Sequence, residues 1–238
     1  ILFQDVPEAV FATETDIDYY LRSPERFDCA VLISASGGKH ATQIAQKLSE
    51  CSCARSLYTN NPEAPARMHF PENNVYVFPK NREPYTYNTS TYFTMIAAHQ
   101  QAFQASSLHS FLAHEVIPAL EYDVHVSAFR GFTFLLPPTA RVIIPMLRTK
   151  FDELFGINLA GRFFTPEEAK HAKTVVPSSE ECFISLGVTN EYFGNPSQRH
   201  HIAIPATHRD VLSYLATAYA VIGVIQRAHT PYFKQHIQ

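Results

Sequence analysis

A loop of small and polar residues, placed between a buried apolar run and a helical segment, is the part of this sequence best suited to chemistry. It reads Ser34-Ala-Ser-Gly-Gly-Lys-His-Ala-Thr42. Glycines let the backbone approach an anion closely, and the unpaired N–H groups at a helix start point outward to meet it. The serine hydroxyls add donors and the lysine adds a positive charge. The loop predicts a phosphate site formed by Ser34, Ser36, Gly37, Gly38, Lys39 and Thr42.

The same loop has a second interpretation, in which small residues only allow a tight turn from a strand into a helix. The loop matches neither G-x-x-x-x-G-K-S/T nor G-x-G-x-x-G. It therefore predicts neither a nucleoside triphosphate nor a dinucleotide as the ligand. On local chemistry alone, the phosphate site and the plain turn are equally open.

Metal and cofactor chemistry has little support in the sequence. The four cysteines form no C-x-x-C pair, and Cys51 and Cys53 make a single C-x-C. No second pair is present to complete a zinc tetrahedron. The histidines are scattered, and the adjacent His200 and His201 would face opposite sides of a strand. We expect no metal and no cofactor, and cysteines used in this way suit a reducing cytoplasm.

Charge and hydropathy argue against two further classes of partner. The formal net charge is −3, whereas nucleic-acid-binding domains normally carry a basic excess. The apolar run Val211–Gln226 includes Ser213 and Thr217 and is too short and too polar for a convincing membrane span. Ile1–Val10 has no basic start, so we expect no signal peptide. The sequence predicts a cytoplasmic protein with a buried helix near its end and with neither nucleic acid nor membrane as a partner.

The candidate loop needs a scaffold that ends a strand before it and begins a helix after it. Short apolar runs predict strands at 27–34, 55–59, 74–78, 131–136, 158–164, 182–188 and 200–204. Longer segments predict helices at 39–49, 91–104, 139–155 and 207–227, with Pro145 interrupting the third. Strands separated by helices indicate an α/β fold with parallel sheets. The pattern restarts after a mixed segment at 106–129, which predicts two domains, 1–112 and 113–238.

Several motifs in the first half resemble the sugar isomerase (SIS) domain family. Ala30–Thr42 is similar to that family's strand, S-x-S-G phosphate loop and following helix. Glu83–Thr91 resembles the segment E-x-x-x-A-S-T-K that precedes another helix in two-domain members, with Asn88 at the serine position. The first of these motifs is moderately specific, and the second is weak by itself.

The second half continues the resemblance in the same order. Leu136–Leu154 aligns with the family's second strand–turn–helix, which ends in K-x-K-E-I. Glu168–His171 matches E-x-K-H, and Thr230–Lys234 resembles the lysine-bearing tail. The resemblance covers about residues 9–236, and the order and spacing of the motifs carry it.

The resemblance implies two doubly wound, flavodoxin-like parallel-sheet subdomains, each with five strands and flanked by helices. It implies a homodimer that binds a sugar phosphate and isomerises a hexose or amino-hexose 6-phosphate between aldose and ketose. Glu153 stands at the position of the proton-transfer base and His171 at that of the ring-opening histidine. Lys234 would be a cation near C1 or C2, and Asn88 would contribute to sugar-phosphate binding.

Three departures from the family pattern keep other functions open. Ala35 and Lys39 replace polar residues that are usual in the phosphate loop, and Leu136–Thr139 has lost the glycines of the second turn. The chain also begins beyond the family's first strand, so we expect further residues before Ile1. The alternatives are a phosphosugar sensor that binds without turnover and, less well supported, a nucleotide-binding α/β protein.

Overall fold

Parallel β-sheets form the framework of this protein, as a computed structural model shows. The structure describes residues 3, 6–80, 89–99, 104–123, 125–172 and 178–229. Their contacts divide the chain into two units, Leu2–Gln101 and Ala102–Gln238. We refer to these as the N-terminal unit and the C-terminal unit.

The N-terminal unit contains a three-stranded parallel sheet in the order β1-β2-β3. Its strands are β1 (Cys29–Ile33), β2 (Ala54–Thr59) and β3 (Val75–Val77). Its helices are α1 (Ile17–Tyr20), α2 (His40–Ser49) and α3 (Thr89–His99), with 3-10 turns at Pro24–Arg26, Pro65–His69 and Glu72–Asn74. Ala45 and Leu48 recur at helical spacing on α2 and pack with Leu57 of β2 and Phe70 in the core of this unit.

The C-terminal unit contains a four-stranded parallel sheet in the order β5-β4-β6-β7. Its strands are β4 (Gly131–Leu135), β5 (Ala160–Phe164), β6 (Glu181–Leu186) and β7 (Arg199–Ile202). Its helices are α4 (Ala105–Phe111), a π-helical turn (Leu112–Val116), α5 (Ile117–Asp123), α6 (Ile144–Phe155), α7 (Pro166–Ala172) and α8 (Val211–Ala228). Further 3-10 turns cover Val126–Ala128, Pro138–Ile143, Pro196–Gln198 and Ala206–His208. Every residue of the central strands β4 and β6 is buried, as expected for strands covered on both faces.

Helices cover both faces of the C-terminal sheet. On one face, the ring of Phe151 from α6 lies 6.2 Å from the ring of Phe134. On the other, Ala169 of α7 packs with Leu135 and Phe183. Because neighbouring strand residues point to opposite faces, this sheet is doubly wound.

Helix α8 is the core helix of the C-terminal unit. Its N-terminus is capped by Asp210, whose carboxylate accepts the Ser213 N–H at 3.0 Å. Among the described helices it alone is long and apolar enough to cross a membrane, and 61% of it is buried inside the protein. The prediction of a buried helix over this run is confirmed.

The predicted α/β class, with parallel sheets flanked by helices, is confirmed, and each predicted strand lies within two residues of an observed one. Two helices differ at their starts, because the predicted helices at 139–155 and 207–227 each begin with a 3-10 turn, which is followed by α6 or α8. Pro145 occupies the first turn of α6, where its missing N–H costs no hydrogen bond. The described sheets have three and four strands rather than the five that the resemblance implies.

Candidate functional site

The loop Ser34–Thr42 continues directly from β1 at the carboxyl edge of the N-terminal sheet. The Ser34 N–H donates to the Tyr58 carbonyl at 2.9 Å, which extends the strand pairing by one residue. Gly37 then turns the chain with a φ of +62°. A Cβ at Gly37 would lie 2.4 Å from the Cβ of Ala64, so the turn requires glycine there. This edge of a parallel sheet is where α/β folds usually bind ligands.

The hydroxyls of the loop accept hydrogen bonds from its glycines. The Gly37 N–H donates to Ser34 Oγ at 3.2 Å, and the Gly38 N–H donates to Ser36 Oγ at 3.3 Å. The Thr42 hydroxyl donates to the Gly37 carbonyl at 3.4 Å. Both glycine N–H groups are thus bonded within the loop, and the protons of the two serine hydroxyls are the donors that these residues can offer a ligand.

Lys39 links the loop to helix α2 in a conformation that lysine rarely adopts. Its φ is +49°, the one positive φ at a non-glycine residue in the described part of the chain. Such strain costs about 1–3 kcal/mol and tends to be retained at functional sites. Lys39 is exposed and stands at the N-cap of α2, where no side chain caps the helix. Its ammonium and the positive end of the helix dipole both favour an anion at this place.

A pocket of about 560 Å³ opens beside the loop, entirely within the N-terminal unit. It is lined by Ile33, Ser34, Ala35, Ser36, Asn60, Asn61, Lys80 and Tyr92. Of the predicted phosphate-site residues, Ser34 and Ser36 line this pocket, whereas Gly37, Gly38, Lys39 and Thr42 form the turn next to it. A pocket of this size can hold a small-molecule ligand.

Four pocket residues come from outside the strand and loop around Ser34 and were not predicted from the sequence. Asn60 and Asn61 follow β2, Lys80 follows β3, and Tyr92 lies on α3. Parallel strands end at the same edge of their sheet, so the pair of asparagines directly after β2 could have been placed beside the loop after β1. Lys80 is the one charged residue among the described lining residues, which contain no carboxylate and no histidine.

Glu153 lies near the end of α6 in the C-terminal unit. Its carboxylate pairs with the ammonium of Lys150 one turn earlier, and its side chain is 45% exposed. Because α6 returns from the carboxyl edge of the sheet toward the start of β5, Glu153 lies toward the amino ends of the strands of its own unit. Lys150 itself is buried.

His171 is an exposed residue in the last turn of α7. The first turn of the same helix is fixed by Glu168, whose carboxylate accepts the Thr165 N–H at 2.9 Å and the Arg141 Nε–H at 2.9 Å. The Glu168 N–H in turn donates to Thr165 Oγ1 at 3.3 Å, which completes a reciprocal cap. The Thr165 N–H and, more weakly, Arg141 lower the pKa of Glu168. Glu168 therefore stabilises the helix that carries His171.

Asn88 and Lys234, the remaining predicted site residues, lie outside the described residues. Within the described ranges, no group of three His, Cys, Asp or Glu side chains is arranged to hold a metal ion. The four cysteines are free thiols. Burial raises the pKa of the Cys182 thiol to about 12, so this group is protonated at neutral pH.

Comparison with solved structures identifies proteins of the same fold. A Bacillus subtilis protein with a proposed phosphosugar isomerase activity superposes with a TM-score of 0.65 at 11% identity, over 97% of this chain and 83% of that one. Glucosamine-6-phosphate deaminase from Thermotoga maritima gives a TM-score of 0.62 at 15% identity, over 96% and 73%. Tagatose-6-phosphate ketose/aldose isomerase from Escherichia coli gives 0.61 at 12%, over 95% and 76%.

These likenesses define the class of fold. No protein-family model and no curated protein matches the sequence. At identities of 11–15% the structural matches establish the fold alone. The chain has an SIS-type fold, as the order of its motifs predicts.

Proposed function

We propose that this protein binds a sugar phosphate, with the phosphate against the loop Ser34–Thr42 and the sugar in the adjoining pocket. The observation that carries the proposal is the strand–loop–helix turn, with its serine hydroxyls and Lys39, opening onto a pocket of about 560 Å³. Two proteins of the same fold support it, since they act on glucosamine 6-phosphate and on tagatose 6-phosphate.

The activity we propose is aldose–ketose isomerisation of a hexose or amino-hexose 6-phosphate. This reaction opens the sugar ring and then moves a proton between C1 and C2 through an enediol. A base must carry that proton, a second group must serve the ring oxygen, and donors must stabilise the developing oxyanion. By resemblance, Glu153 is the base, His171 opens the ring, Lys234 stabilises the oxyanion and Asn88 helps to hold the substrate. Histidine is suited to ring opening because an imidazole can both give and take a proton near neutral pH.

The resemblance also supports two further parts of the proposal, namely that both units are SIS-type subdomains and that the chain forms a homodimer. The use of cysteine in the sequence supports a cytoplasmic location. Sedimentation equilibrium of the purified chain tests the homodimer, for which a mass of twice 26.9 kDa is expected. A concentration-independent monomer would remove the dimer from the proposal.

The assignment of Glu153 is tested with fructose, glucose and mannose 6-phosphates as candidate substrates. Loss of a general base lowers turnover by about 10²–10⁴-fold, and we expect a loss of this size for Glu153→Gln. Asp152→Asn is the matched control, because Asp152 is an exposed carboxylate one residue earlier on the same helix. Equal activity of Glu153→Gln and Asp152→Asn would exclude Glu153 as the base.

The second candidate function is a phosphosugar sensor that binds its ligand without turnover. It is favoured by the absence of carboxylate and histidine from the described pocket lining, and by the pairing of Glu153 with Lys150. Thermal stabilisation by one of the three sugar phosphates, together with no change of its proton NMR spectrum over a day, would support the sensor. Appearance of the isomeric sugar phosphate would support the isomerase.

A further inference from the structure

The segment that follows β2 holds the carbonyl groups of the candidate phosphate loop. The Ala35 carbonyl accepts the Thr59 hydroxyl at 3.1 Å and the Asn60 N–H at 3.1 Å. The Ser36 carbonyl accepts the side-chain amide of Asn61 at 3.0 Å. Two successive loop carbonyls are thus bonded to three successive residues of the neighbouring strand end.

The next carbonyl in the loop is held in the same way. The Gly37 carbonyl accepts the Ala66 N–H at 2.9 Å, in addition to the Thr42 hydroxyl. By contrast, the N–H groups of Ala35 and Ser36 have no acceptor among the described residues, although both residues line the pocket. An anion is repelled by carbonyl oxygens and bound by N–H groups, so the direction of these peptide units decides whether the loop can bind phosphate.

Thr59 and Asn61 are themselves fixed in one orientation. Thr59 is fully buried, and its hydroxyl both donates to the Ala35 carbonyl and accepts the Asn61 N–H at 3.2 Å. The Asn61 side-chain oxygen accepts the Glu63 N–H at 3.0 Å, which leaves its amino group directed at the Ser36 carbonyl. Reversing the Ala35–Ser36 peptide would break the hydrogen bonds from the Thr59 hydroxyl and the Asn60 N–H. Reversing the Ser36–Gly37 peptide would break the bond from Asn61 and the bond to Ser34 Oγ.

We propose that Thr59 and Asn61 are positioning residues for phosphate binding. They hold the two peptide units on either side of Ser36 with their carbonyls against the strand end. The Ser36 N–H shares a peptide unit with the Ala35 carbonyl, so it is directed away from the strand end and is available to the ligand. This role rests on the proposed function of the loop. It also makes β2, and not only the glycine turn, part of the anion site.

The test compares Thr59→Val, Thr59→Ser and Asn61→Ala in the whole 238-residue chain. Valine keeps the shape of threonine without its hydroxyl, and serine keeps the hydroxyl. The probe is whichever of fructose, glucose or mannose 6-phosphate most stabilises the wild type against heat. Losing one such hydrogen bond corresponds to roughly a tenfold loss of affinity, which we expect for Thr59→Val and Asn61→Ala. Thr59→Ser should stay within about twofold of the wild type.

A spectroscopic readout separates positioning from a loss of stability. In the wild type, the amide proton of Ser36 should move downfield when the sugar phosphate binds. It should not move in Asn61→Ala, measured at a temperature where urea denaturation shows that variant to be folded. Thr59 is buried, so Thr59→Val could fail to fold. In that case the Asn61→Ala variant, at a half-buried position, tests the positioning role.

The possible outcomes distinguish failure of the positioning role from failure of the proposed function. Folded variants that bind with wild-type affinity and show the wild-type amide shift would overturn the positioning role and leave the proposed function standing. A wild type that none of the three sugar phosphates stabilises would overturn the proposed function and the positioning role with it. Weak binding restored by serine at position 59, with the amide shift lost in Asn61→Ala, would support both.

Discussion

The connections that follow β1 and β4 join a parallel strand to a helical turn with opposite kinds of residue. After β1 the chain uses serines and glycines and ends at exposed Lys39. After β4 it uses Leu136, which is fully buried, then Pro137 and Pro138. The first connection offers hydroxyl and N–H donors, whereas prolines have no N–H to offer.

The second connection is also closed by its own hydrogen bonds. The Leu136 N–H donates to the Phe164 carbonyl at 2.9 Å, and the Ala140 N–H donates to the Pro137 carbonyl at 2.9 Å. Pro138 begins a 3-10 turn with no side-chain cap. The two connections show that a strand end at the carboxyl edge of a parallel sheet can serve packing or anion binding, and that the residues in the turn decide which.

The largest expected difference between the connections is in stability. Leu136→Ala should lower the free energy of unfolding by about 3 kcal/mol, because it empties a fully buried site. Ser34→Ala removes only the part-buried acceptor of the Gly37 N–H and should cost about 1 kcal/mol. Urea denaturation measures both, and equal losses would mean that the first connection is also built for packing.

The next largest effect concerns the turn itself. Gly37→Ala should cost about 2 kcal/mol, since the added Cβ meets Ala64 at a positive φ. Pro138→Ala, at an exposed position of the other turn, should cost about 0.5 kcal/mol. Thermal unfolding of both variants checks this order. A harmless Gly37→Ala would show that the loop relaxes freely and is not fixed for a ligand.

A smaller effect of opposite sign is expected at Lys39. Lys39→Gly should raise the free energy of unfolding by about 1 kcal/mol, because glycine adopts a φ of +49° without strain. It should also weaken sugar-phosphate binding, since a cation is lost. Lys39→Ala is the control: it removes the charge and keeps the strain, so binding should fall with no gain in stability. Tighter binding by either variant would remove Lys39 from the phosphate site.

The smallest expected effect is a pH dependence at the helix after β5. The Thr165 N–H, and then Arg141, lower the pKa of Glu168 below its usual 4.5. The ionised carboxylate thus stabilises the folded state above that pH, and this contribution is lost as the pH falls through the folded-state pKa. Glu168→Gln should lose less stability than the wild type between pH 6 and about pH 3. Parallel pH profiles would exclude Glu168 from the cap.

Much of the fold could be predicted from the sequence, because buried parallel strands are continuous apolar runs. Phe132, Phe134 and Leu135 mark β4 in this way, and the same pattern marks β6. The start of α6 was harder to predict. A proline in the first turn of a helix cannot be distinguished in the sequence from a proline that interrupts a helix. The cap of α7 could have been predicted, since Thr165-x-x-Glu168 has the spacing of a capping box.

The candidate site could be predicted only in part. The small residues from Ser34 to Gly38 are adjacent in the chain, so their shared chemistry is visible in the sequence. Asn61 and Lys80 join them only because β1, β2 and β3 end at one edge. The direction of the loop carbonyls depends on hydrogen bonds with residues 59–66, which no local pattern specifies.

A crystal structure of the protein grown with fructose 6-phosphate decides whether the loop after β1 is the phosphate site. The expected result is a phosphate group within about 3 Å of the N–H groups of Ala35 and Ser36, with the sugar between Asn60 and Tyr92. Phosphate bound at the connection after β4, or at any place away from Ser34–Thr42, would overturn the assignment of this loop.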